Sequence, residues 1–390
     1  MTSSSDSASA FPPQQATGDR PRRRSRPDDE TLRPTAGGVT DQHHVSARDE
    51  MDEDPESLGK RFFRPRTFIS FIVALLIVVF LVTRLDIDPG EVWAQVKRTN
   101  PWIYLLGFAV FYGCFVLRAL RWEWMLARAG IDDEHGYPIP NMPGMLQIFL
   151  LSWFANCIVP AKLGDVYRSY LFKQRTKASF STTFGTILAE RLIDLLVLVG
   201  VLVASGIVVF GTQVPGQAGQ TVWIGSALVG IGVIGCGALW FARDHVERML
   251  PDRLQHHFAR LHDGIFVVLR RPWLFSGVSV FIWLAEGLRV FCVAWALDTQ
   301  LSISTSLLVA LMSSLLTIIP FTPAGLGVVE GATIGVLRLV GVDDSTAVAI
   351  ALLDRVIGYW SVILVGLPLY ILHARKDVAA LPAPAPAPAD

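Results

Sequence analysis

Charge is scarce in this chain. Only 17% of its 390 residues are Asp, Glu, Lys or Arg, against about 25% in an average soluble protein. The shortage is uneven, because residues 1–66 hold 23 of the 68 charged side chains. So little charge over the remaining length excludes an ordinary soluble enzyme and a nucleic-acid binder. The formal net charge of +0 is a sum over unlike parts and argues for no particular partner. Cysteine is also rare. Cys114, Cys157, Cys236 and Cys292 all fall inside apolar runs, too scattered for a disulfide framework or a zinc site, which excludes a secreted disulfide scaffold. His256, His257 and His262 share one charged loop, and neither a metal nor a cofactor is expected. The chain also lacks a nucleophile elbow, a phosphate-cradling Gly-Lys loop and a zinc motif. Nothing therefore argues catalysis, and the chain is expected not to be an enzyme.

What the chain has in abundance is apolar sequence: 52% hydrophobic residues and a mean hydropathy of +0.43. Runs of about 20 residues, the length that crosses a bilayer core, occur at 67–85, 101–120, 141–160, 180–210, 222–242, 273–297, 302–320 and 346–373. The pattern predicts an all-α polytopic membrane protein. Residues 1–60 are rich in Ser, Pro, Asp, Gln and Arg and read as a disordered cytoplasmic tail. They open with no apolar core, so the start is not a signal peptide. The Pro/Ala-rich stretch 374–390 reads as a second, extended cytoplasmic tail. Residues 61–373 form the integral membrane domain.

Orientation follows from Lys and Arg, which collect on the cytoplasmic side. Lys60, Arg61, Arg64 and Arg66 precede the first run, and Arg118, Arg121 and Arg128 end the second. Basic residues then flank 141–160 on both sides, and Pro160 and Gly164 interrupt it. A re-entrant hairpin fits better than a full crossing. The same reasoning makes 302–340 a second hairpin, broken at Pro320, Pro323, Gly325 and Gly327. Six full spans and two re-entrant hairpins entering from opposite faces result, with both termini in the cytoplasm of a cell membrane. The stretch 243–271 reads as an interfacial amphipathic helix.

The hairpins also resemble each other. Pro160-Ala161-Lys162-Leu163-Gly164 matches Pro323-Ala324-Gly325-Leu326-Gly327, and Glu190-Arg191 matches Asp354-Arg355 after a similar interval. Each half, 67–210 and 222–373, then reads span, span, hairpin, span, in opposite orientations. Inverted repeats with broken helices mark the midplane site of many transporters.

Charge inside such spans costs about 2.5–3.5 kcal/mol per residue on insertion scales, so these residues usually face a cavity or a partner. The candidates for binding substrate are Arg118, Arg121, Lys162, Gly164, Asp165, Arg168, Glu190, Arg191, Asp194, Glu286, Arg289, Pro323, Gly325, Gly327, Glu330, Asp354 and Arg355. Glu190 and Asp194 at i, i+4 share a helix face, and Glu286 and Arg289 at i, i+3 can pair along theirs. Arg118 and Arg121 lie near a span end, where long side chains snorkel. A ring of arginines around two broken helices suits a phosphate, with helix N-terminal amides adding donors. The competing reading is that these charges are buried ion pairs that only fix helix register.

The motifs R-x-x-R-W (Arg118, Arg121, Trp122), P-A-K-L-G-D (Pro160 to Asp165), E-R-L-I-D (Glu190 to Asp194) and P-F-T-P-A-G-L-G-V-V-E (Pro320 to Glu330) together resemble the flippase-like transmembrane domain of lysylphosphatidylglycerol synthases, across about 67–373. Ala324 stands where that family more often has glycine, and Lys162 where arginine is common. The resemblance implies a stand-alone member that translocates lipid, including polyprenyl- or glycosyl-lipids. The synthases' aminoacyl-transferase domain is not carried over, because fewer than 20 residues follow His373. The leading expectation is translocation of a phosphate-bearing lipid, with membrane lipids as partners. The alternative is a non-transporting subunit that docks a glycosyltransferase or an envelope-biosynthesis protein. A lipid-modifying enzyme using Glu190 and Asp354 as acid–base groups is a third.

Overall fold

The structure, a computed structural model, describes residues 88–159, 163–211, 243–317 and 325–379, with parts of 227–241. Every regular element among the described residues is helical. In chain order these are α1 (Pro89–Arg98), α2 (Pro101–Arg128), α3 (Met142–Ile158), α4 (Gly164–Thr176), α5 (Phe180–Phe210), α6 (Arg243–Met249), α7 (Asp252–Leu269), α8 (Pro272–Ala296), α9 (Ile303–Leu316), α10 (Val328–Leu339), α11 (Asp344–Arg355), a π-helical turn (Val356–Trp360) and α12 (Ser361–Ala379).

Four of these are long and apolar enough to cross a membrane: α2, α5, α8 and the continuous stretch Asp344–His373. They coincide with four of the six expected spans. The other two, 67–85 and most of 222–242, lie outside the described residues, as do both expected tails apart from 374–379. α3 and α9, at 17 and 14 residues, are apolar but shorter than a crossing requires. Each is followed by another short helix, α4 or α10.

Local signals set the ends. Asn100, Ser179, Ser302 and Asp343 each accept a hydrogen bond from an amide in the first turn of α2, α5, α9 and α11, respectively. Pro stands at the start of α1, α2, α3 and α8, where its missing N–H costs nothing. At one end of the bundle the Asn100 amide donates to the Ala296 carbonyl, 2.8 Å, so α2 begins where α8 finishes and the two run antiparallel. Tyr104 donates to the Leu353 carbonyl and Tyr112 bonds Ser361, each 2.9 Å and each 249 positions on. Two bonds of equal sequence separation set the last span parallel to α2.

One expectation is corrected, and two further features were not foreseen. Residues 243–271 are two helices, because Pro251 supplies no amide and breaks the chain between α6 and α7. α7 also packs closely on α5: a Cβ at Gly185 would lie 2.4 Å from the Leu261 carbonyl oxygen, and one at Gly264 2.4 Å from that of Thr182. The last span is present as expected, with a π turn within it. Finally, α1 is a helix in a stretch the sequence reading passed over, although Asp88-Pro89 supplies a cap and a helix start.

Hydrophobic packing centres on Trp122. Its indole is fully buried between Phe149 and Phe172, with ring centroids 5.6 and 5.0 Å away, and it donates to Thr186 Oγ1 at 3.2 Å. α3 and α4 come together equally tightly, since a Cβ on Gly164 would sit 2.1 Å from the Ser152 carbonyl oxygen. Gly164→Ala must push the two helices apart, an overpacking effect of about 1–3 kcal/mol or more. Gly200→Ala meets open space and replaces a poor helix former with a good one. Thermal unfolding in detergent is expected to show a clear loss of stability for the first variant and none for the second.

Candidate functional site

The site is built from charges that apolar helices carry to one another. α2 extends eight residues beyond the expected end at 120, which places Arg118 and Arg121 inside the helix and not at its end. Both are buried, and the snorkelling expectation is corrected. Arg121 donates to Asp194 Oδ1 and Oδ2, 2.5 and 2.9 Å, and to Glu190 Oε1, 2.7 Å. It also bonds Ser279 on α8, which passes a hydrogen bond on to Asp194. Glu190 takes a second cation through Oε2, from Arg168 on α4, 2.6 Å. The Arg168 guanidinium lies 4.8 and 4.7 Å from the ring centroids of Trp122 and Phe149, which favour a desolvated cation.

A second cluster lies one turn along α2. Arg118 donates to Glu286 Oε1 at 2.6 Å while its guanidinium sits over the Trp153 ring. Glu286 Oε2 lies 3.2 Å from Arg289, the i, i+3 pair that the spacing indicates. Arg289 reaches on to Asp354 Oδ1 at 2.5 Å. The π turn begins two residues later, and it brings Gly358 so near Arg289 that a Cβ there would lie 3.1 Å from Nη1. Single π turns of this kind recur at functional sites.

The helix pairs α3–α4 and α9–α10 are each held at their junction by one arginine from the following span. Arg191 forks onto Asp165, with Nε to Oδ2 at 2.8 Å and Nη2 to Oδ1 at 2.6 Å. Arg355 lies 2.9 Å from Glu330 Oε1 and donates to the Gly325 carbonyl. Asp165 and Glu330 both occupy the first turn of the second helix of their pair, 26 and 25 positions before their arginines. The glycines serve different needs. Gly325 and Gly327 adopt φ of +71° and +84°, conformations costly for other residues, and the Gly327 amide donates to Glu330 at 2.6 Å. Gly164 instead permits close approach: its amide donates to Asn156, and Ser152 donates to its carbonyl. Tyr359, one turn past Arg355, donates to the Cys157 carbonyl at 3.1 Å. Through Arg355 and Tyr359 the last span therefore touches both junctions.

Fifteen of the candidate residues thus fall into these clusters or junctions, while Lys162 and Pro323 lie outside the described residues. The arginines do not stand free in a ring: Arg118, Arg121, Arg168, Arg191, Arg289 and Arg355 each meet a carboxylate. Five of them are nearly sealed. Arg191 differs, with 41% of its side chain accessible. Ser152, Asn156, Ser279 and Tyr359 escaped the sequence reading. Ser152 and Asn156, polar residues at i, i+4 in an apolar run, carried a signal. Tyr359 carried none.

Known proteins similar to this chain include several named as membrane proteins. A UPF0104 membrane protein of Methanocaldococcus jannaschii is 34% identical over 224 residues, covering 57% of this chain and 95% of the relative. Another, of Methanothermobacter thermautotrophicus, is 25% identical over 328 residues, 75% of this chain and 93% of that one. A protein of Haloferax volcanii named glycosyltransferase AglD is 24% identical over 337 residues, 76% of this chain but 53% of its own length. The family model described as the lysylphosphatidylglycerol synthase TM region matches residues 68–366, which takes in every candidate residue, and the chain belongs to that family.

Proposed function

We propose that this membrane protein moves a phosphate-bearing lipid between leaflets of the cell membrane and performs no chemistry on it. The lipid is a phospholipid, a polyprenyl phosphate or a glycolipid. The observation that carries this reading is the repeated arrangement of the two junctions, with Asp165–Arg191 at one and Glu330–Arg355 at the other. α3–α4 and α9–α10 are then two re-entrant hairpins in matching positions of an inverted repeat, the transporter arrangement in which broken helices border a midplane site. The antiparallel course of α2 and α8 supports it. Arg118 and Glu286 are 168 positions apart, as are Arg121 and Arg289. Under that register Arg118 and Glu286 are equivalent residues that meet at the pseudo-two-fold axis. Having opposite charges there lets them pair instead of repel.

Six full spans complete this topology. The bundle end bearing Arg128, Arg175 and Arg271 faces the cytoplasm, and the end bearing Asp298, Asp343 and Asp344 faces outward. Both termini are then cytoplasmic. A second reading draws on the relative named glycosyltransferase AglD, only about half of which the chain matches. In that reading the chain is a non-transporting subunit that docks a glycosyltransferase or another envelope-assembly protein.

Reconstitution separates the readings. A transporter should move labelled phospholipid or polyprenyl phosphate across liposomes faster than empty vesicles do, and should lose that activity in Glu190→Gln and Arg355→Ala. A docking subunit should tolerate both changes in cells and fail on deletion of residues 1–60. Conversion of lipid by the protein in detergent, where no leaflets exist, would reveal an enzyme instead. No transport of these lipids rejects the proposal for them.

Topology is tested independently, in a background lacking the four natural cysteines. With a membrane-impermeant thiol reagent on intact cells, Asp344→Cys is expected to label and Lys177→Cys to stay unlabelled. Labelling of both or neither removes the inverted repeat.

A further inference from the structure

The two junctions are built alike but are not in the same state. Glu330 and Arg355 are closed off, with side-chain exposures of 9% and 12%. Asp165 is about as covered, at 14%, but its partner Arg191 stands open at 41%. Arg191 is the twelfth residue of the 31-residue α5, about 6 Å from its midpoint at 1.5 Å per residue. An accessible guanidinium at that depth cannot face acyl chains without a large cost, so it borders a recess that admits water.

The pair in that recess has a particular geometry. Arg191 presents two parallel N–H donors to the two oxygens of Asp165, at 2.8 and 2.6 Å. A phosphate offers the same two-oxygen face to an arginine fork. Asp165 sits in the first turn of α4, whose start has no side-chain cap, so the positive helix end favours any anion placed there. One turn further along α4, the buried Arg168 keeps an Nε without a partner. A buried N–H donor without a partner is therefore present on the same helix, one turn from Asp165.

We infer that Asp165 is a resident counter-anion, and that the phosphate of the transported lipid binds by replacing it on the Arg191 fork. The inference rests on the lipid-transport reading and narrows it. Of the six paired arginines, Arg191 alone contacts the ligand in this state, and the others hold the helices. Released Asp165 is not stranded, because the recess and the start of α4 solvate it. Glu330–Arg355 is the same device shut. In the oppositely open state the two junctions exchange roles, so the empty transporter never leaves a bare cation at the midplane.

Binding in detergent micelles tests this with the full chain. The probes are dihexanoyl phosphatidic acid, inorganic phosphate, and dihexanoylglycerol as the neutral control. Removing the competitor by Asp165→Asn should tighten the phosphatidic acid by about tenfold, roughly 1.4 kcal/mol. Asp165→Ser, which keeps a helix-starting side chain, should do the same and guards against a folding effect of Asn. Arg191→Gln should abolish the gain, Arg191→Lys should keep only part of it, and Glu330→Gln should bind as the wild type does.

If both Asp165 variants bind no tighter than wild type, the exchange is overturned while lipid transport still stands on the liposome assay. If Glu330→Gln tightens binding as much, the asymmetry is overturned. Equal tightening of inorganic phosphate supports the exchange and assigns the site to the free anion. If no probe binds any variant, the inference and the phosphate-lipid reading fall together.

Discussion

A charged side chain at the middle of an apolar span must find a countercharge, and much of this structure follows from where each one finds it. Arg121 draws α2, α5 and α8 together through Asp194, Glu190 and Ser279. Glu190 then brings in α4 through Arg168. Arg118 and Arg289, meeting at Glu286, join α2 and α8 to the last span. Removing one partner from a buried pair typically costs about 3–5 kcal/mol, whereas replacing both with apolar groups is often neutral. Such a network is therefore a poor way merely to gain stability. It is a good way to hold helices in register.

Much of this architecture was legible in the sequence, for identifiable reasons. The run 180–210 coincides with α5 at both ends because Ser179 caps one end and Gly211 follows the other. The interruptions at Gly164 and at Gly325–Gly327 separate α3 from α4 and α9 from α10, since only glycine tolerates the close approach at the first and the positive φ at the second. The end of α2 was misjudged because Arg121, Trp122 and Glu123 look like the start of a wet loop. Buried partners let the helix continue to Arg128 instead. Periodicity places Glu190 and Asp194 on one face, but no local rule selects Arg121, 73 positions from Asp194, as their shared cation. Partner choice depends on how helices cross, and it was invisible in one dimension. The π turn had no signal either, because its residues are ordinary for a membrane helix.

The site changes character once its pairing is known. The sequence left open whether the arginines await an anion or form buried ion pairs, and in the structure each meets a carboxylate. Neutral as it stands, the network can remain inside a membrane with no ligand bound. Under the proposed exchange, an incoming anion competes with a carboxylate already in place, which favours ligands that match the arginine fork. Arg191 is more exposed than its counterpart Arg355, although the side chains of the two junctions are arranged alike.

The most direct measurement is an electron cryo-microscopy map of the protein carried from its own membrane into lipid nanodiscs, with co-purified lipids identified by mass spectrometry. The account predicts a phosphate-bearing headgroup between Gly164 and Gly325–Gly327, within hydrogen-bond distance of the Arg191 guanidinium. A recess free of lipid, with phosphate headgroups confined to the outer rim of the bundle, would contradict it.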